Sequence, residues 1–172
     1  MRKVVAVAAA LTSLLVGTAT ANAAPDPGAD DTLVTGEGYQ DLRLGMSEQD
    51  GLATGRLTEF VWDDGNCDWY HTVYRPNDWK AAVFSHTDGL VDVRTPPEAH
   101  TPAGITTGST VAQLKAAYPN VKQYRNGYTA TVPGYSDRFY DFWIEGDDPY
   151  PNDYPADAKV VQINLDLVNA YC

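Results

Sequence analysis

Two cysteines, 3 histidines and 23 acidic residues are the side chains with the widest chemical reach in this 172-residue chain. Cys67 and Cys172 can form one pair, or Cys67 can act as a nucleophile beside His71. A cysteine at position 172 has little use except as a staple, and an even count in an oxidising compartment reads as paired thiols. A disulfide Cys67–Cys172 is therefore expected. His71, His86 and His100 lack H-E-x-x-H or a comparable spacing, and oxidised cysteines bind no zinc, so no metal is expected. The stretches Asp63-Asp64-Gly65-Asn66 and 146–153 offer oxygens to calcium. Neither has the alternating acids, central glycine and terminal glutamate of an EF-hand loop, and both read as solvated loops. Gly134-Tyr135-Ser136-Asp137-Arg138 opens like the nucleophile elbow G-x-S-x-G. It closes on arginine and lies between two strands, which makes it a turn. A glycosidase needs two facing carboxyls roughly 5–10 Å apart, and the abundance of acids here selects no pair. No catalytic residue is assigned, no cofactor is expected, and the chain reads as a non-enzyme.

Aromatic residues are the remaining candidates, with 4 Trp, 11 Tyr and 4 Phe. Strand alternation puts Tyr70 and Tyr74 opposite Cys67, Trp69 and Val73. It also puts Trp143 with Asp141 and Glu145, away from Tyr140, Phe142 and Ile144. Surface Tyr and Trp give large contact area at low entropy cost. Tyr70, Tyr74 and Trp143 are therefore expected on a wet sheet face that binds a protein, while Trp69 and Trp79 are expected in the core. The alternative is a small extracellular hydrolase or carbohydrate-binding domain acting on cell-wall or environmental polymers. A deep cleft with converging carboxylates would favour that alternative over a gently concave aromatic sheet.

The charge balance narrows the partner. Against 23 acids stand 12 Lys and Arg, a formal charge of −11 and a pI of about 4.4. Such a surface repels phosphate backbones, which excludes nucleic acid, and steers the chain toward basic partners. Arg2 and Lys3, the apolar run Val4 to Val16 and the closing Ala21-Asn22-Ala23 form a secretory signal, with cleavage expected after Ala23. The apolar run is shorter than the roughly 20 residues a membrane-spanning helix needs. The expectation is a secreted monomer that meets an extracellular or cell-envelope protein. Residues 24–38, rich in Ala, Asp, Pro and Gly, read as a flexible arm, and 39–172 as one domain.

The elements that must position these groups fall into two halves, about 39–94 and 102–172. In the first, Leu42 and Leu44 alternate up to Gly45, and Ser47 is placed to cap a helix running to about Gly55. In the second, Gly108 matches Gly45 and Thr110 matches Ser47, with Thr110-x-x-Gln113 as a capping box. That helix, Val111 to Ala117, stops at Tyr118-Pro119. After each helix the apolar period changes from about 3.6 to 2. Strands are expected at 67–74, 81–86 and 90–94, then at 128–132, 138–145 and 159–167, with Asp88-Gly89 as a two-residue hairpin turn. In the last strand Val161, Ile163, Leu165 and Leu167 should point inward. The class is α+β: an antiparallel sheet with short helices on one face, as two tandem α-β-β-β repeats.

Leu42-Arg43-Leu44-Gly45-Met46-Ser47, echoed by Thr107-Gly108-Ser109-Thr110, resembles the β-lactamase inhibitory protein fold and the related SmpA/OmlA lipoproteins. The leader and the duplication are similar to those of small secreted proteins of actinobacteria. This resemblance implies a non-enzymatic module presenting one sheet face to a protein. The inhibitory proteins carry a disulfide in each repeat, whereas here one pair would span both halves, and no binding residue is carried over.

Overall fold

The structure is a computed structural model that describes residues 30–146, 153–170 and 172; the expected leader and residues 24–29 of the expected arm lie outside them. Helix α1 (Glu48–Ala53) begins at Ser47, whose hydroxyl accepts from the Asp50 N–H at 3.1 Å and donates to Asp50 Oδ2 at 2.7 Å. Helix α2 (Val111–Ala117) carries the complete capping box. Thr110 Oγ1 accepts from the Gln113 N–H at 3.1 Å, and Gln113 Oε1 accepts from the Thr110 N–H at 2.8 Å. It ends at Tyr118, since Pro119 disfavours helical geometry in the residue before it.

Ahead of α1 lies a small hairpin, β1 (Gly38–Tyr39) and β2 (Leu42–Arg43). Four strands follow α1: β3 (Leu57–Asp63), β4 (Cys67–Thr72), β5 (Ala82–Ser85) and β6 (Gly89–Arg94). Four more follow α2: β7 (Lys122–Tyr124), β8 (Gly127–Thr131), β9 (Arg138–Ile144) and β10 (Val160–Leu167). They form one eight-stranded antiparallel sheet in the order β3-β4-β5-β6-β10-β9-β8-β7, so the last strands of the two runs meet at its centre. The α+β class holds, with β3 and β7 added at the edges.

Both helix starts are tied to those central strands in the same way. The Gly45 N–H donates to the Leu90 carbonyl and the Leu90 N–H returns to the Met46 carbonyl, at 2.8 and 2.9 Å. The Gly108 N–H donates to the Val160 carbonyl and the Val160 N–H returns to the Ser109 carbonyl, both at 2.8 Å. Each glycine holds a positive φ, +83° at Gly45 and +88° at Gly108, which lets the chain turn from this bond into its helix cap.

The helix-facing side of the sheet is the core. The cross-strand row Tyr70–Ala82–Val93–Leu165–Tyr140–Ala130 crosses six strands and is buried throughout. Val111, Leu114 and Leu42 pack into the same cluster. Residues 30–38, expected as arm, are instead docked on this core. Val34 is fully buried, its N–H donates to the His100 carbonyl at 2.8 Å, and its own carbonyl accepts from the Tyr140 hydroxyl at 3.0 Å. Short polar composition concealed one apolar anchor.

Two local expectations are corrected. Ser85 pairs with Gly89, so the β5–β6 turn has three residues, His86-Thr87-Asp88, with Gly89 at φ +72° completing it. A bulge between Val160 and Gln162 shifts β10 by one residue at its start. Val160 then takes the inward place, and Val161 is 45% exposed.

Cys67 and Cys172 form the expected disulfide, with Cα atoms 5.9 Å apart and a sequence separation of 105. Among the described residues no helix is long and apolar enough to cross a membrane.

Candidate functional site

The side of the sheet opposite the helices is built from the alternate residues of the same strands. One row across it reads Trp62–Trp69–Val83–Asp92–Asp166–Phe139. The next reads Arg94–Asn164–Asp141–Thr129, and Trp143 lies two residues from Asp141 on the same side. Trp79, from the loop between β4 and β5, rests its ring 4.9 Å from that of Trp69. All 4 tryptophans of the chain are therefore on this open side.

Between the rows runs a groove of about 740 Å³ whose lining includes Trp79, Asp92, Asp141, Trp143, Asn164 and Asp166. Its floor is acidic and tightly buried. Asp92 and Asp166 are direct cross-strand partners, a like-charge arrangement that costs free energy when both are ionised. Burial raises the Asp92 carboxyl to about 6, held back by Lys80 and Arg94 and pushed further by Asp141 and Asp78. Burial also lifts Asp166 well above the ordinary range, with Asp92 and Asp141 adding to it. Asp141 is raised by burial too, against hydrogen bonds from Trp143 and Asn164.

Basic groups line the same groove and face these carboxyls, while also holding partners of their own. Arg94 donates to Asp78 at 2.9 Å and lies over the Trp143 ring, 4.8 Å from its centre. The other Asp78 oxygen accepts from Arg75 at 3.0 Å, which closes an Arg–Asp–Arg set. Lys80 is 4.0 Å from Asp92 and stands over Trp69. Trp143 Nε1 donates to Asp141 at 2.8 Å. After these contacts, buried oxygens on Asp92 (Oδ1), Asp166 (Oδ2) and Asn164 (Oδ1) have no hydrogen-bond partner among the described residues.

Of the residues expected to bind, Trp143 is on this open side and the tyrosines are not. Tyr70 is 6% exposed, packs edge-on against Phe84, and donates its hydroxyl to Glu48 under α1. Tyr74 is half-buried against the same core, its ring edge-on to Tyr39 at 5.1 Å. The alternation correctly separated the two faces, but the tyrosine face is the one the helices cover, so the three rings do not form one patch. Trp69 and Trp79, expected in the core, are half-buried and 51% exposed respectively on the open side. The acidic floor was missed. Its signal was the spacing of Asp92 with Arg94, Asp141 with Trp143 and Asn164 with Asp166, each pair two apart on a strand.

A second cluster could ligate a metal. One oxygen each of Asp63 and Asp68 and one ring nitrogen of His86 lie within 4.8 Å of one another at the β4–β5 end of the sheet. His86 Nε2 is already engaged with Asp68 at 2.9 Å, and both Asp63 and His86 are exposed.

The fold is of the α+β class, an eight-stranded antiparallel sheet with two short helices and a small additional hairpin. No protein-family model and no curated protein matches the chain. Among solved structures, the crystal structure of the uncharacterized protein yfeY from Escherichia coli is similar, at 16% identity and a TM-score of 0.49, over 79% of this chain and 99% of that one.

Proposed function

We propose that this chain is an exported, non-enzymatic binding module that takes a protein partner on the open side of its sheet. The observation that carries the reading is the gathering of all 4 tryptophans on that side, with Trp62 and Trp79 more than half exposed. Tryptophan and arginine at the centre of a buried patch dominate protein–protein affinity, and Arg94 stacked on Trp143 adds the second ingredient. A leader over 1–23, cleaved after Ala23, delivers the chain to an oxidising compartment. The Cys67–Cys172 disulfide is the support for that destination. The chain acts as a monomer, and its two halves derive from one duplicated α-β unit, a reading supported by the matched Gly45/Leu90 and Gly108/Val160 bonds. Duplication in turn supports the resemblance to β-lactamase inhibitory protein. The converging carboxylates also suit a small extracellular hydrolase or carbohydrate-binding domain. Sugar release from cell-wall polymers that disappears in Asp92→Asn would favour that second reading.

The test uses photo-cross-linking residues placed singly at Trp79 and at Leu52 on α1, which are 51% and 50% exposed. In cells exporting the full chain, the expected result is one discrete adduct from position 79 and none from position 52. Equal labelling from both positions, or none from 79, contradicts the reading.

A further inference from the structure

Within the sheet the two runs of strands meet at β6–β10 alone. Three residue pairs stand in register there, Arg94 with Asn164, Val93 with Leu165 and Asp92 with Asp166. Val93 and Leu165 belong to the core, so both aspartates of the last pair stand side by side on the opposite face. Directly opposed residues hold their Cβ atoms about 4.5–5.5 Å apart, within reach of contact between two carboxyls. Asp92 Oδ1 and Asp166 Oδ2 are shut away from water and have no hydrogen-bond partner among the described residues. Two ionised carboxylates only accept, so neither satisfies the other, and each buried orphan costs free energy. A single proton changes this. A carboxylic acid donates where a carboxylate accepts, and one O–H···O bond matches both orphans.

The surroundings decide which of the two carries the proton. Lys80 Nζ lies 4.0 Å from Asp92 Oδ2, and Lys80 and Arg94 together act on Asp92 more strongly than the negative charges of Asp141 and Asp78. Around Asp166 the order is reversed. After burial, the charges of Asp92 and Asp141 weigh most there, and Lys80 and Arg94 oppose them least. Asp92 is therefore the one that ionises first, at about 6, and Asp166 remains an acid well above the ordinary carboxylate range. The other charged groups around the pair have partners of their own. Asp78, from the loop between β4 and β5, is bound to Arg75 and Arg94. Asp141 on β9 accepts from Trp143, and Arg125 in the turn between β7 and β8 faces it.

We propose that Asp166 donates its carboxyl proton from Oδ2 to Oδ1 of the Asp92 carboxylate, and that this shared proton is a pH-sensitive lock across the seam between the two runs of strands. Loss of the proton leaves two negative charges face to face at the end of a three-pair ladder. When Asp92 takes a proton as well, the pair is neutral and the seam stays closed. The lock therefore holds toward acid and opens toward base, the direction set by a carboxyl that binds its proton more tightly folded than unfolded. No partner takes part, so the lock stands apart from the binding-face reading.

The experiment follows the carboxyl carbons of Asp92 and Asp166 by NMR, together with amide hydrogen exchange, in the full chain between pH 5 and pH 10. The native chain is compared with Asp92→Asn and Asp166→Asn. Asp92 should ionise while Asp166 stays protonated. Asp92→Asn keeps an acceptor but removes the charge, and should lower the Asp166 titration by at least about one pH unit. As Asp166 ionises in the native chain, protection at residues 91–94 and 164–167 should fall at least about tenfold beyond the intrinsic rise in exchange, with residues 128–131 as the unchanged control. Asp166→Asn still offers an N–H donor and cannot ionise, so its seam should stay protected throughout. An Asp166 that ionises before Asp92, or whose titration is unmoved in Asp92→Asn, overturns the shared proton. Seam protection that is flat to pH 10 in the native chain, or that falls equally in Asp166→Asn, overturns the lock.

Discussion

At Asp92 the structure holds a carboxyl that is harder to ionise folded than unfolded, because burial removes its water and Asp141 and Asp78 add negative charge nearby. Its folded value of about 6 lies above the unfolded value of 3.8, so the folded state keeps a proton that the unfolded state releases. The stabilisation this gives is complete below about pH 4 and is lost as pH rises through about 6. Asp92→Asn should therefore raise stability at pH 7.5, by about 1–3 kcal/mol, and leave it unchanged near pH 4; urea unfolding at the two pH values measures this. A gain of equal size at both would contradict the electrostatic cause. Gly89 carries a different constraint. It sits at φ +72°, and a Cβ there would lie 2.4 Å from the Met46 carbonyl oxygen. Gly89→Ala should destabilise by about 1–3 kcal/mol, read as a lower melting temperature, since both the backbone region and the contact oppose it.

The helices are where local chemistry decides most. α2 has both arms of its capping box, whereas α1 has a serine and an aspartate in the corresponding places. Thr110→Ala should cost about 1 kcal/mol in thermal unfolding, and Ser47→Ala a similar or smaller amount. A loss below about 0.3 kcal/mol at Thr110 would show that tertiary packing, and not the cap, fixes that helix start. These starts were readable because Ser, Thr and the following Asp or Gln act within one turn. The edge strands were not. In β3 the register shifts twice, between Leu57 and Phe60 and again between Phe60 and Trp62, which erases a period of two. β7 is three exposed residues, Lys122 to Tyr124, with no apolar alternation to detect. β10 was found, but its bulge at Val161 moved the inward set by one residue at its start, from Val161 to Val160. Periodicity also told which residues share a face without telling which face the helices take. Tyr70 and Trp69 changed roles for that reason. The acidic floor required knowing that β6, β10 and β9 are neighbours, a pairing between distant parts of the chain that no local pattern contains.

Across the whole molecule the disulfide and the central β6–β10 pair do related work. The pair joins the two runs of strands, and the bridge fixes Cys172 to Cys67 beside the groove wall, where Val83, Val91 and Trp69 pack. Closing a loop of roughly 100 residues limits the unfolded chain, by about 4.7 kcal/mol in the chain-entropy description. The double replacement Cys67→Ser, Cys172→Ser should lower unfolding free energy by about 2–5 kcal/mol in urea, and an unchanged midpoint would show that the bridge is incidental to stability. The groove joins these scales, because a sheet with one apolar and one polar-aromatic side buries carboxyls that are thereby harder to ionise. The most direct measurement is a carboxyl-detected NMR titration of Asp92, Asp141 and Asp166 in the full chain between pH 3 and pH 9. The account predicts that Asp92 titrates near 6 and that Asp166 titrates well above the ordinary carboxylate range. Three carboxyls that all titrate below about 4.5 would contradict it.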